Sequence, residues 1–231
     1  MKKLLVVFPT IFEADCIFKN FGQSEKCKVG ATCEFELGGK SCRVLVSGIG
    51  CEKSAERVAE QIKKFRPDEV LLCGFAGACR REIKGGEFFF QTDSPETQKK
   101  LSELGIAEKK IAFSEHVADR KAKTQLAESG YWAVEMESRL FAQAARESAP
   151  ESPNFTHLRC ISDTIEADIP AEIVEKSMNR QTGELEVRPL DSIRAIIKTP
   201  KLLPTFIKFA ITAGKAQKHY NKQLPNILKA L

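Results

Sequence analysis

Ala133-Val134-Glu135-Met136-Glu137-Ser138 stands between an apolar run that ends a strand and an amphipathic run, Leu140 to Arg146, that reads as a helix. Two carboxylates flank one methionine. A spacing of two turns Glu135 and Glu137 to the same side of an extended segment, whereas on a helix they point about 200° apart. The strand-to-helix junction leaves both geometries open, and two solvated acids complementing the helix dipole would also fit. A second stretch, His157-Leu158-Arg159-Cys160-Ile161-Ser162-Asp163, ends another apolar run in Ser162-Asp163. Both stretches put acid at the C-terminal end of a buried-looking strand. In open α/β sheets that edge is where ligands bind.

Outward from these stretches, strands alternate with helices. Leu4 to Phe8 reads as a short buried strand, broken by Pro9-Thr10 before a helical run over Ile11 to Phe18 that carries Glu13 in its first turn. Gly38-Gly39-Lys40-Ser41 joins Cys33–Leu37 to Cys42–Ser47 as a hairpin. The second of these strands runs into Ser47-Gly48-Ile49-Gly50 and a helix over Glu52 to Phe65. Val70 to Cys73 followed by Gly74-Phe75-Ala76-Gly77-Ala78 reads as another strand and a glycine stretch that either takes a tight turn or lets backbone approach closely. Strands at Glu87–Gln91 and Ile111–Phe113 and helices at Pro95–Leu104 and Arg120–Glu128 follow, with Gly130 as a C-cap residue. A turn cluster spans Pro150 to Pro153, and an irregular loop about Asn179–Gly183 is placed to cover the strand ends. The alternation predicts one α/β domain, a three-layer α/β/α sandwich on a mixed, mainly parallel sheet.

Composition supports an ordinary globular protein: 231 residues, 42% hydrophobic and 29% charged. No run of 18 apolar residues is present, so no membrane-spanning helix is expected, and the short apolar run after Met1-Lys2-Lys3 reads as a first strand rather than a signal peptide. Eight cysteines at 16, 27, 33, 42, 51, 73, 79 and 160 lack the two-residue gap of zinc and redox motifs. They read as buried thiols of a cytoplasmic protein, with no metal and no cofactor expected. Of the net charge of +5, Ser192 to Leu231 carries +8 (Arg194 and seven lysines, no acid), which leaves −3 on the first 191 residues.

The acids Glu13, Glu135, Glu137 and Asp163 gather at strand ends without a histidine or metal cluster beside them. Such a set suits cleavage of a glycosidic bond: one carboxyl protonates the leaving group, another activates water, and the transition state is a sugar cation. An acid that keeps its proton near neutral pH needs burial among apolar groups, and a single carboxylate can accept from both hydroxyls of a ribose diol.

In order and spacing, Glu13, Ser47-Gly48-Ile49-Gly50, Gly74-Phe75-Ala76-Gly77, Val134-Glu135-Met136-Glu137-Ser138 and Ile161-Ser162-Asp163 resemble the nucleoside phosphorylase and nucleosidase superfamily. The likeness covers most of residues 1 to 170, and its specific part is Glu-Met-Glu followed some 25 residues on by Ser-Asp. It implies a phosphorylase/hydrolase-like fold and an N-glycosyl hydrolase acting on a purine nucleoside, with adenine as the base. By the same resemblance Asp163 protonates N7 of the leaving purine and Ser162 orients it. Glu137 holds the ribose hydroxyls, Met136 packs on the sugar, Glu135 supports the site and Glu13 activates water. Gly74, Phe75 and Ala76 line the sugar and nucleophile side. Homo-oligomers are usual in the superfamily, so one is expected here.

Two departures refine the expectation. Phosphorolytic members have an arginine two residues before the glycine matching Gly74 and a serine or threonine directly after it; this chain has Leu72 and Phe75. Losing both phosphate donors favours water, although Arg43, Arg80 or Arg81 could replace them. Between Gln91 and Ile111 the chain is shorter than the methylthioadenosine/adenosylhomocysteine nucleosidases, which implies a 5′ group that is either bulky or differently held. Asp168-Ile169-Pro170 and the basic tail look like the hopanoid-associated branch. A phosphate-dependent phosphorylase and a non-catalytic nucleoside-binding protein are the alternatives. In the tail, Lys201, Lys208, Lys215 and Lys222 recur every seven residues opposite Leu203, Phe206, Ile207, Ala210 and Ile211. Either the apolar face docks on the domain, or the helix adsorbs peripherally to an anionic membrane. No nucleic-acid motif accompanies the charge.

Overall fold

Strand β1 (Lys3–Phe8) is buried from its second residue onward, and its side chains divide by parity. Leu4, Val6 and Phe8 join one apolar cluster and Leu5 and Val7 another, so both faces of the strand are covered. On the first face lie α1 (Ile11–Phe21), through Ala14, Ile17 and Phe18, and the C-terminal α7 (Leu203–Ala230), through Tyr220, Leu224 and Ile227. On the second, α2 (Glu52–Phe65) and α5 (Ser138–Ser148) contribute Val58, Ile62, Phe141 and Ala145. The computed structural model describes residues 1–21, 27–149, 151–166, 171–185 and 203–231. Pro150, Asp168-Ile169-Pro170 and Lys201 lie outside them.

The hairpin of β2 (Thr32–Leu37) and β3 (Lys40–Val46) forms one side of a sheet ordered β2-β3-β1-β4-β9-β5-β6. The further strands are β4 (Glu69–Ala78), β5 (Phe88–Thr92), β6 (Ala107–Glu108), β7 (Ile111–Phe113), β8 (Ala133–Glu135) and β9 (Asn154–Asp163). β1 runs parallel to β3 and β4, β4 to β9, β5 to β6 and β7 to β8. The pairs β2–β3, β4–β8 and β5–β9 are antiparallel. A mixed, mostly parallel sheet with helices on both faces is the expected α/β sandwich. Helices α3 (Pro95–Glu103) and α4 (Arg120–Glu128) take Ser94 and Asp119 as N-caps, each side chain accepting a backbone N–H of the first turn. Beyond β9, α6 (Ala171–Lys176) and a small hairpin of β10 (Met178–Asn179) and β11 (Glu184–Leu185) lie over the strand ends.

Two expectations are corrected. Gly74 to Ala78 is no turn: β4 continues through it, pairing first with β9 and then, at Gly77 and Ala78, with β8. In the tail, the docked portion is the C-terminal half, where Ala216, Tyr220, Leu224, Ile227 and Leu228 are buried, whereas Ile207 and Ile211 are 49% and 54% exposed. The buried residues follow a 3–4 spacing that aims at α1 and β9, and that stripe turns Ile207 and Ile211 outward. Six cysteines are buried, and Cys27 and Cys33 are half-buried. No helix among the described residues is long and apolar enough to cross a membrane.

Candidate active site

Three buried carboxylates converge on one buried guanidinium. Arg159, in the middle of β9, is fully buried; its Nη2 pairs with Glu135 and lies 3.2 Å from Glu137 Oε2. Glu135 ends β8 and turns back over the start of α5, accepting from the N–H groups of Glu137 (3.1 Å) and Ser138 (2.9 Å) and from the Ser138 hydroxyl. Glu137 is the N-cap residue of that helix, with φ −121° and ψ −33°, and also accepts from the Gly50 N–H at 3.4 Å. The strand-to-helix break is what lets both acids meet the same arginine.

Glu13 reaches the cluster from α1. Its Oε2 accepts from the Thr10 N–H (2.8 Å) and hydroxyl (2.7 Å), and the Glu13 N–H donates back to Thr10 Oγ1 at 3.3 Å, a reciprocal capping box. Its Oε1 accepts from the Phe75 N–H at 2.8 Å, which ties the helix end to β4. Gly74 makes this possible: a Cβ there would stand 2.5 Å from Arg159 Nη1 and 2.6 Å from Glu13 Oε1.

Asp163, 1% exposed, ends β9 where a bulge breaks the register with β4: Ala76 pairs with Ile161 and Gly77 with Asp163, leaving Ser162 as the extra residue. The Ser162 hydroxyl donates to Asp163 Oδ1 at 2.7 Å. The ammonium of Lys123, from α4, pairs with Asp163 Oδ2, and that lysine is 1% exposed. These groups line a cavity of about 180 Å³ together with Phe75, Ala76, Met136 and, from the covering segment, Val174, Met178 and Leu185. A larger cavity of about 680 Å³, bordered by Arg81, Arg120 and Lys208, holds none of the clustered acids.

Burial sets the protonation of the cluster. It pushes Glu13 above its ordinary value, against Arg159 and the donors from Thr10 and Phe75. It pushes Glu137 up to about 7; Arg159 opposes the shift while Glu135 and Glu13 add to it. Burial works against the charge of Arg159, but Glu135, Glu137 and Glu13 together raise its proton affinity further. Three carboxylates around one guanidinium cannot all ionise cheaply.

Sequence comparison finds no matching family model and no matching curated protein. Solved structures do match. An S-adenosylhomocysteine nucleosidase from Streptococcus pyogenes, in complex with 5-methylthiotubericidin, superposes with a TM-score of 0.67 at 18% identity, covering 100% of this chain and 97% of that one. A futalosine hydrolase mutant of Helicobacter pylori gives 0.64 at 18% identity with full coverage of both chains. The Neisseria meningitidis 5′-methylthioadenosine/S-adenosylhomocysteine nucleosidase, in complex with methylthio-immucillin-A, gives 0.67 at 18%, again with both chains fully covered. The chain has the fold of the nucleoside phosphorylase and nucleosidase superfamily.

On that superfamily frame, eight of the nine residues singled out from sequence line one cavity: Glu13, Phe75, Ala76, Glu135, Met136, Glu137, Ser162 and Asp163. Gly74 does not line it; its part is to leave room for Arg159 and Glu13. Arg159 and Lys123 were not anticipated as site residues. Arg159 had a signal, a cation inside an apolar strand, which demands buried acids as partners. Lys123 had none, since its helix reads Arg120-Lys121-Ala122-Lys123 like any solvated face. The three alternative phosphate ligands lie elsewhere. Arg43 bonds Glu34 and stacks on Phe65, Arg80 stacks on Trp132, and Arg81 borders the larger cavity.

Proposed function

We propose that the chain is a purine nucleoside N-glycosidase that uses water to break the bond between base and ribose. The observation that carries this reading is one small cavity holding Glu13, Glu137 and Asp163, in which the only lysine or arginine side chain among the described lining residues, Lys123, is already paired with a carboxylate. A phosphate nucleophile needs uncommitted cationic or hydroxyl donors. Water needs a base, which Glu13 supplies, raised in proton affinity by burial.

In this reading Glu137 accepts from the ribose hydroxyls, Met136 packs on the sugar, and Glu135 fixes both through Arg159 and the helix N-terminus. As the bond from C1′ to the base lengthens, positive charge grows on the sugar next to three carboxylates that share one guanidinium, an arrangement that favours the cation over the neutral ground state. Asp163, oriented by Ser162, serves the departing base at N7. That solved neighbours are nucleosidases of S-adenosylhomocysteine and 5′-methylthioadenosine supports adenine as that base, and a bulky 5′ substituent, lipid-linked as in the hopanoid-associated branch, is part of the proposal. Exposed Ile207 and Ile211 beside Lys208 and Lys215 support peripheral contact of α7 with an anionic membrane.

The test is chromatographic detection of free base from a panel of adenosine-type nucleosides, one with a bulky apolar 5′ group, with and without phosphate. Free sugar released without phosphate is expected. Strict phosphate dependence with a sugar 1-phosphate product would make the protein a phosphorylase, and binding without release would make it a nucleoside-binding protein. Co-sedimentation with anionic vesicles unchanged by deleting residues 203–215 would remove the membrane contact.

A further inference from the structure

Lys123 is buried to 1% exposure, and desolvating an ammonium costs several kcal/mol that a solvated lysine on the same helix would not incur. Its niche is built for it. Gly77, paired with Asp163 across the bulge, has no side chain, and a Cβ there would stand 2.9 Å from Lys123 Cε, 3.1 Å from Nζ and 3.0 Å from Asp163 Oδ2. The α4 N-cap, Asp119, anchors the turn that carries Lys123. Both oxygens of Asp163 accept: Oδ1 from the Ser162 hydroxyl at 2.7 Å and Oδ2 from the ammonium. A proton on Oδ2 would face the hydrogens of the ammonium. In this geometry both oxygens of Asp163 act as acceptors, so the hydrogens nearest to a departing base on this side are those of the lysine and the serine.

We propose that Lys123 and Asp163 form one proton-donating unit, in which the proton delivered to the leaving base is stored on the Lys123 ammonium and passes through the Asp163 carboxylate. The inference rests on the nucleosidase reading. An Nζ–H bond of Lys123 breaks as an O–H bond forms on Asp163, and that bond breaks in turn as N7 of the purine gains the proton. The electron pair of the bond between C1′ and N9 leaves with the base. Water bonds to C1′ and gives its proton to Glu13, and exchange with solvent returns one proton to Lys123 and removes one from Glu13. Lys123 does not touch the base; it is a positioning and proton-storing residue that acts through Asp163.

The experiment compares two substrates, an adenosine-type nucleoside, whose base leaves only when protonated, and p-nitrophenyl riboside, whose leaving group needs no proton. Wild type, Lys123→Met, Lys123→Ala, Asp163→Asn and the Lys123→Met/Asp163→Asn double variant are measured on both. The expected result is a fall in kcat of roughly 10²–10⁴-fold on the nucleoside for Lys123→Met, with a far smaller fall on p-nitrophenyl riboside. The double variant should be no worse than Asp163→Asn alone, because the two side chains act as a unit. Small alkylamines should restore part of the nucleoside activity of Lys123→Ala and none to Asp163→Asn. Equal losses on both substrates, or a Lys123→Met variant with native nucleoside turnover, would overturn the proposal. A wild type inactive on both substrates would instead overturn the nucleosidase reading and this inference with it.

Discussion

Glu137→Gln should make the protein more stable above neutral pH and, on the proposed reading, destroy its hold on ribose. The Glu137 carboxyl rises from an ordinary 4.5 to about 7 because it is buried, so the folded protein binds its proton more tightly than the unfolded chain. Stability contributed by the protonated form is complete below the unfolded value, is lost progressively as pH rises from about 4.5, and is gone above about 7. At about 1.4 kcal/mol per tenfold in proton affinity, ionised Glu137 costs the fold about 3 kcal/mol at pH 8. Glutamine escapes that cost but forfeits the charge on its contact with Arg159 at 3.2 Å and weakens acceptance from Gly50, together about 1–2 kcal/mol. The net gain is about 1–2 kcal/mol, or roughly 2–8 °C in melting temperature for a chain of this size. Thermal unfolding of both proteins at pH 8 and pH 5, with nucleoside binding measured alongside, checks it. The gain should shrink or change sign at pH 5, where the native carboxyl is already protonated. A variant less stable than the native protein at pH 8, or a difference flat with pH, would refute the reasoning.

Arg159→Met removes the cation shared by three buried acids and should cost about 3–5 kcal/mol, a deficit that deepens as pH rises from 5 to 8 because the orphaned carboxyls must then ionise; urea unfolding at the two pH values measures it. Glu13→Gln leaves one acceptor oxygen where two served Thr10 and Phe75 and cannot take a proton from water, so hydrolysis should fall roughly 10²–10⁴-fold, with a modest loss of melting temperature from the donor left unpaired. Native hydrolysis by this variant would end the assignment. Gly74→Ala drives a methyl group against Arg159 and Glu13. It should cost about 1–3 kcal/mol by overpacking and reduce turnover further than its stability loss explains; a melting curve and a rate on the same preparation decide.

The parts of the fold legible in sequence are those whose physics is local. Alternating burial in Leu4 to Phe8, the Gly38-Gly39 hairpin and the amphipathic period of Glu52 to Phe65 each need only near neighbours to be read, and each is found within a residue or two of its expected place. Gly74 to Ala78 stayed open because glycine signals either a turn or a close approach, and only the position of Arg159, 85 residues further on, decides for the latter. The tail misled for a similar reason. Its first half and its second half are both amphipathic, and what chooses between them is the groove between α1 and the sheet, into which Tyr220 and Leu224 fit.

The two cations also explain why the acids could be gathered at all. Around the sugar side, Arg159 faces three carboxylates, and burial raises the proton affinity of Glu13 and Glu137 against the pull of that guanidinium. Around the base side, Lys123 and Asp163 make a pair with no net charge. On the proposed reading, a nucleoside entering such a cavity would meet an electrically divided environment: three carboxylates and one guanidinium where positive charge would develop on ribose, and a lysine–aspartate pair where the base would leave. Replacing Lys123 by a neutral residue while leaving Asp163 would add a fourth anion to a cluster already short of compensation, so part of the effect should spread to the sugar side as a further rise in the proton affinity of Glu137. The pH at which ribose binding is half lost on acidification should then move upward in Lys123→Met. An unmoved midpoint would mean that the two clusters are screened from each other by the intervening β4 backbone and operate independently.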